Sequence, residues 1–293
     1  MARVFVTGAG GFVGRALVRT LLSRGHGVTG LARVSAPPTG IETVRGDLLA
    51  PDTYRDAIAA ADVVVHLAAA TGNAKAAEHA RVNAEGTRVL AAVCAATRRP
   101  LLFVSSVAVQ YPDHSRYPYA AAKAAAEAAV RESGTPFQIA RPTIVAGPGS
   151  PVIDALARLA ALPVVPVFGD GRTRVQPVDV EDVALGLTDM VEGRFGSETI
   201  GIGGPEVVTI EGLMLAIRAS TGRGAAPVAH LPLGLVLPVL AAAERLTGGR
   251  VPLTVGQLSL FRYDGTVAPH EMTKARMAGM HTLPDMLRRS AGG

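Results

Sequence analysis

Tyr119-Ala120-Ala121-Ala122-Lys123 sets a phenol four residues before an ammonium near the start of an alanine-rich stretch. On a helix, residues i and i+4 share one face. A tyrosine titrates near pH 10 in water, too high for acid–base work at neutral pH; a lysine one turn away and the positive end of a helix both favour the phenolate. The pairing carries weight because lysine is scarce: Lys75, Lys123 and Lys274 are the whole complement of 293 residues. Thirteen residues before Tyr119, Ser105-Ser106 closes an apolar run. A hydroxyl there can polarise a carbonyl oxygen, and Ser106 is chosen over Ser105. Asn83 falls in an expected helix, where its amide could hold a water linking Lys123 to solvent. The chemistry these types support is proton transfer to or from an oxygen.

A second constellation supplies a ligand. Thr7-Gly8-Ala9-Gly10-Gly11-Phe12-Val13-Gly14 runs from an apolar strand into a helix, with Gly8, Gly11 and Gly14 in a G-x-x-G-x-x-G pattern. Gly8 permits a tight turn, Gly11 lets backbone N–H groups approach a pyrophosphate at the helix start, and Gly14 lets helix and strand pack closely. The ligand expected is a dinucleotide. At the end of the second strand, where an acid would bind the ribose of NAD, the chain reads Thr29-Gly30-Leu31-Ala32-Arg33. An arginine can pair with a 2′-phosphate, so Arg33 favours NADP(H), with NAD(H) left open. Asp47, in Gly46-Asp47-Leu48, is placed to accept from the adenine amino group. His66-Leu67-Ala68-Ala69 ends the fourth strand, and ligands of such sheets sit beyond the carboxyl ends of strands. His66 itself is given no proton-transfer role.

The elements that must hold these residues follow from the pattern. Strands are expected at Val4 to Thr7, Val28 to Ala32, Glu42 to Arg45, Val63 to Leu67, Leu101 to Ser105 and Phe137 to Ala140. Helices are expected from Phe12 to Ser23, Thr53 to Ala60, Glu78 to Ala96 and Tyr119 to Glu132. Such alternation is the signature of an α/β fold, a Rossmann-type doubly wound parallel sheet. After Pro142 the texture changes: glycines and prolines interrupt short segments. We divide the chain into a dinucleotide-binding domain at 1–145, to which the chain returns near 175–200, and a smaller α/β substrate-binding lobe at 146–293. The second part is expected to hold a helix after Asp179, a strand near Thr199 to Ile202, a helix after Thr209 and helical stretches near Leu233 to Leu246 and Leu283 to Arg289.

Composition narrows the function classes. The single cysteine, Cys94, lies in an apolar run, which excludes a disulfide framework and fits a reducing, cytoplasmic setting. The chain enters a strand pattern at Arg3 without signal-peptide features. Its longest apolar tract, Leu231 to Ala243, carries Pro232 and Pro238 and is about half a membrane span. The net charge of +5 comes from scattered arginines whose only doublets are Arg98-Arg99 and Arg288-Arg289, so nucleic acid is not an expected partner. No metal site is expected. A homodimer is compatible with all of this.

Taken with Asn83-Ala84-Glu85-Gly86-Thr87, Arg141-Pro142-Thr143 and Val178-Asp179-Val180-Glu181-Asp182-Val183-Ala184, these motifs resemble the short-chain dehydrogenase/reductase superfamily, in its extended or atypical branch, the NAD-dependent epimerase/dehydratase family. The resemblance implies that Ser106, Tyr119 and Lys123 form a catalytic triad with Asn83 as a fourth member. It implies that Lys123 also bonds the nicotinamide ribose, and that Phe12, Val13, Leu48, Leu67, Ala68, Ala69, Pro142 and Thr143 join the cofactor contacts.

The chain departs from family members that act on nucleotide sugars. Val175 and Asp179 fall where an arginine for the nucleotide phosphates and a histidine would align, although a one-residue slip could recruit Arg174. Apolar runs at Leu162 to Phe168 and Leu231 to Leu240 suit an apolar substrate. Pro252-Leu253-Thr254-Val255-Gly256-Gln257-Leu258 resembles the tail of atypical members that bind the nucleotide without turnover, including subunits of respiratory complex I. The expected activity is hydride transfer between a nicotinamide and a small apolar ketone or alcohol. A nucleotide-sugar epimerase or dehydratase and a non-catalytic dinucleotide-binding scaffold are the alternatives.

Overall fold

Short β-branched runs separated by alanine-rich segments can bury both faces of a parallel sheet, and the computed structural model, which describes residues 1–33, 38–247 and 254–291, shows them doing so. The first half of the chain runs β1 (Arg3–Thr7), α1 (Phe12–Ser23), β2 (Gly27–Ala32), β3 (Glu42–Arg45), α2 (Arg55–Ala60), β4 (Val63–His66), α3 (Ala76–Glu78), a π-helical turn (His79–Glu85), α4 (Gly86–Thr97), β5 (Leu101–Val104), α5 (Pro118–Glu132) and β6 (Phe137–Pro142). It continues through β7 (Val145–Ala146), α6 (Pro151–Ala160), β8 (Val165–Phe168), β9 (Arg174–Val175), β10 (Val178–Asp179), α7 (Val180–Glu192) and β11 (Glu198–Ile202). The remainder is β12 (Val208–Thr209), α8 (Ile210–Ser220), β13 (Val228–Leu231), α9 (Leu233–Thr247), α10 (Glu271–Met277) and α11 (Leu283–Ala291).

Seven strands form one parallel sheet in the order β11-β6-β5-β4-β1-β2-β3. The chain winds outward from β1 to β3 and then back from β4 to β11, so the sheet has a switch point between β1 and β4, where ligands of this architecture bind. The inner strands β4 and β5 are buried at every residue, whereas the edge strand β3 carries Glu42 and Arg45 in solvent, which discourages pairing with another chain. One face packs Leu17, Leu21, Val183, Leu187 and Met190 of α1 and α7. The other packs Ile58, Leu90, Cys94, Ala126 and Val130 of α2, α4 and α5.

A separate core lies beyond β6. Ile153 and Leu156 of α6, Val165 and Val167 of β8, Leu213 and Ile217 of α8, Phe261, and Met286 and Leu287 of α11 pack together. Two of its helices, α6 and α8, start on side-chain caps: the Ser150 hydroxyl accepts from the Ile153 amide with Pro151 next in line, and the Thr209 hydroxyl accepts from the Gly212 amide.

Two expected elements differ. The helix expected from Glu78 to Ala96 is α3, a π-turn and α4 in succession, with buried residues on the π-turn and α4 but none on α3. The stretch expected to be helical from Thr53 opens instead with a 3-10 turn at Pro51–Thr53 before α2. Strand ends at β4 and β5 fall one residue short of expectation.

Candidate active site

The glycine loop is shaped by contacts that leave no room for side chains. Gly8 has φ +75°, and a Cβ there would fall 2.6 Å from the Ala68 amide nitrogen; a Cβ on Gly14 would fall 2.1 Å from the Gly8 carbonyl oxygen. The loop after β4 therefore closes directly on the turn after β1. It is held there by Thr7, whose hydroxyl accepts from the Ala68 amide (3.2 Å). Gly11 is the N-cap of α1 and offers no side-chain cap, and no acid sits in the first turn, so the helix start points bare amides at the cavity.

That cavity measures about 870 Å3 and runs along the carboxyl ends of the sheet strands. Gly8, Gly11, Phe12, Val13, Gly14, Arg33, Asp47, Leu48, Leu67, Ala68, Ala69, Pro142 and Thr143 all line it, as do Ser106, Tyr119 and Lys123. Asn83 does not. Its Oδ1 accepts from the Ala70 amide (2.7 Å) while its Nδ2 donates to the Ala70 carbonyl (2.9 Å). The amide expected to hold a water is thus spent on fixing the loop after β4, and Asn83 reaches the site through Ala70.

His66 is buried between two hydroxyls, with Nδ1 2.6 Å from Thr7 Oγ1 and Nε2 2.9 Å from Thr87 Oγ1. Burial, aided by the charge of Lys123, pushes its pKa down to about 3, so the ring is neutral and stitches strand to helix. Cys94 is a buried thiol whose pKa burial raises to about 12.

Tyr119 and Lys123 stand on α5, which opens with Pro118 at its first position. The Tyr119 phenol and the Ser106 hydroxyl line the same cavity, and the Ser106 oxygen accepts from the Ala108 amide (3.2 Å). Ser105 is buried, and its hydroxyl has no hydrogen-bond partner among the described residues. Lys123 is 2% exposed, donates to the Val104 carbonyl (2.8 Å) and lies 4.7 Å from the Phe103 ring centre. Burial pushes its pKa down to about 7, with Glu127 pulling the other way.

One sequence expectation needs correcting here. The phenol is expected to titrate below its usual range; burial instead moves Tyr119 upward, against a smaller opposing pull from the nearby Ser106 hydroxyl. The Lys123 ammonium is itself desolvated and bonded to the Val104 carbonyl, so it does not offset that burial.

Several residues around the site were not singled out from the sequence. Glu127, one turn beyond Lys123, is buried and bound by Arg141 through Nε and Nη2 (2.8 and 2.7 Å) and by Arg131 (3.0 Å). The two arginines outweigh its burial and hold the carboxyl below its usual range. Its i+4 spacing from Lys123 was the available signal. Tyr117 packs 5.8 Å from the Tyr119 ring on one side and His79 lies edge-on at 5.8 Å on another. Val152, Ala155, Leu156 and Leu159 of α6, with Gln257, Leu260 and Phe261, wall the cavity from the second half of the chain. The charged lining residues among those described are Arg33, Asp47, Glu78, Arg81 and Lys123, all from the first 123 residues.

Outside the cavity, Val175 is buried in the second core, Asp179 caps α7, and Arg174 is paired with Asp264 (2.9 Å). Arg33 and Asp47 approach to 4.0 Å, both partly exposed. Pro252 and Leu253 of the tail segment lie outside the described residues. Among those described, no cluster of metal-ligating side chains occurs and no helix is long and apolar enough to cross a membrane.

The sequence profile of the NAD dependent epimerase/dehydratase family matches residues 4–203. The chain is 36% identical over 190 residues to a ceramide reductase of Caulobacter vibrioides, covering 63% of this chain and 59% of the relative. It is 31% identical over 208 residues to a 2-alkyl-3-oxoalkanoate reductase of Stenotrophomonas maltophilia, covering 62% and 63%. The match therefore spans under two thirds of both relatives. A dTDP-glucose 4,6-dehydratase of Streptomyces niveus is 31% identical over 274 residues, covering 78% of this chain and 81% of the relative. Among solved structures, gox2253 superposes with a TM-score of 0.76 at 25% identity, covering 99% and 96% of the two chains. The Bordetella bronchiseptica enzyme WbmH, in complex with NAD+, superposes at 0.75 with 18% identity over 100% and 98%.

Proposed function

Because the chain belongs to the NAD dependent epimerase/dehydratase family, we propose that it is a nicotinamide-dependent oxidoreductase interconverting a small apolar ketone and its alcohol. The observation that carries this is that Ser106, Tyr119 and a buried Lys123 line one cavity whose second-half wall, among the described residues, is uncharged. The names of the two reductase relatives point the same way.

The bare amides of α1 and the close-packed turn at Gly8 fit a pyrophosphate, which Gly11, Phe12 and Val13 would hold. Asp47 and Leu48 would take the adenosine end, with Leu67, Ala68 and Ala69 between. Lys123, Pro142 and Thr143 would seat the nicotinamide ribose and ring. Arg33 lines the cavity with its side chain 61% exposed and pairs with Asp47 at 4.0 Å, a position from which its guanidinium can meet a 2′-phosphate, which favours NADP(H) over NAD(H).

When bound, the reduced nicotinamide supplies a hydride to the carbonyl carbon. The protein supplies the rest. Ser106 donates toward the carbonyl oxygen, Tyr119 transfers its phenolic proton to that oxygen as negative charge develops, and Lys123 stabilises the phenolate left behind. The product is the alcohol, with one dinucleotide oxidised per carbonyl reduced.

A second activity class, the nucleotide-sugar dehydratase or epimerase, is favoured by the 31% identity to the dTDP-glucose 4,6-dehydratase. It requires a cation for the sugar's diphosphate, and the second-half wall offers none among the described residues. Absorbance of the reduced dinucleotide separates the two: 2-octanone should drive stoichiometric consumption, while dTDP-glucose should not be converted. Conversion of the nucleotide sugar without net consumption would replace the reductase with the second class.

A further inference from the structure

Resting on the reductase assignment above, we propose that the substrate carries an unbranched alkyl chain that lies along α6, with its carbonyl at Tyr119. Val152, Ala155, Leu156 and Leu159 line the cavity at i, i+3, i+4 and i+7, a single stripe of one helix. At a rise of 1.5 Å per residue the stripe is about 10 Å long. The polar residues of the same helix, Asp154 and Arg158, are exposed instead. Leu260 and Phe261 close the other side.

The wall is firm rather than adaptable. Leu156 and Phe261 are 3% and 2% exposed and belong to the second core, so they cannot turn aside without breaking its packing. A narrow, straight and apolar stripe accepts a linear chain, whereas a compact ketone would leave most of it unfilled. Sugar hydroxyls or a diphosphate would meet methyl groups there. Past the end of α6 the sequence continues into Leu162 and Val164, exposed at 45% and 46%, so apolar surface persists beyond the stripe.

Each methylene removed from water contributes about threefold or a little more to binding. The test is a calorimetric series of 2-butanone, 2-hexanone, 2-octanone and 2-decanone against the protein saturated with NADP+, which allows binding without reduction. We expect Kd to fall on the order of a thousandfold from 2-butanone to 2-decanone, and kcat/KM with NADPH to rise in parallel. In Leu159→Trp, the indole fills the stripe, and the ratio of the two Kd values should shrink at least tenfold. The native series stands alone if that variant does not fold. A Kd independent of chain length overturns the alkyl-chain assignment whether or not ketones are reduced. A Kd that falls with chain length, with no ketone reduced, upholds the stripe and overturns the reductase assignment.

Discussion

Lys123 is the most consequential single side chain because its charge is poised. Buried against Val104 and Phe103, with a pKa near 7, it is protonated in mild acid and neutral in mild base. In the proposed reaction its ammonium stabilises the phenolate that Tyr119 leaves behind, so carbonyl reduction should decline as pH rises through about 7. Lys123→Arg, with a guanidinium that keeps its proton, should lose that decline while running more slowly; a native profile flat from pH 6 to 8.5 would detach Lys123 from proton transfer. Arg33 governs a different quantity. Replacing an arginine that meets a phosphate costs about 1.5–3 kcal/mol, so Arg33→Glu should lower the NADPH-to-NADH ratio of kcat/KM at least tenfold, read from initial rates with each dinucleotide. The positions of Tyr119, Lys123 and Ser106 were legible because their spacing maps onto a helix face and a strand end. The water-holding expectation for Asn83 was not met, since its pairing with Ala70 depends on a loop that no local pattern encodes.

At the scale of elements, the junction of β1, α1 and the loop after β4 decides whether a dinucleotide can bind. Three backbone segments meet within van der Waals contact at Gly8, Gly14 and Ala68. Gly14→Ala would set a methyl 2.1 Å from a carbonyl oxygen that cannot swing away. It should cost roughly 1–3 kcal/mol of stability and weaken dinucleotide binding at least tenfold, measured by thermal melting and by dinucleotide titration. Gly27→Ala, whose Cβ would meet nothing within 4 Å, should leave both near the native values. Such long runs of alternating texture also explain why the sheet could be read from sequence. The strands β7 to β10, β12 and β13 could not: most hold two residues, too few to show a period. Helix α6 went unnamed although Ser150-Pro151 is a start signal, because the proline-rich surroundings read as loop.

In the whole molecule, two cores meet at one cavity and divide its labour. The sheet and its helices contribute every charged lining residue among those described, together with Ser106 and Tyr119. The second core contributes a wall of aliphatic and aromatic side chains. Identity of the fold was legible in the order of strands and helices, whereas this division of charge was not, since it depends on which face of α6 turns inward. The account rests on Tyr119 as the proton carrier between those two halves. The most direct test is Tyr119→Phe, which keeps the ring packed between Tyr117 and His79 and removes the hydroxyl alone. Ketone-dependent oxidation of the reduced dinucleotide should fall by about 10²–10⁴-fold, with dinucleotide Kd within a few-fold of native. Turnover within tenfold of native, with binding intact, would place the proton donor elsewhere and contradict the account.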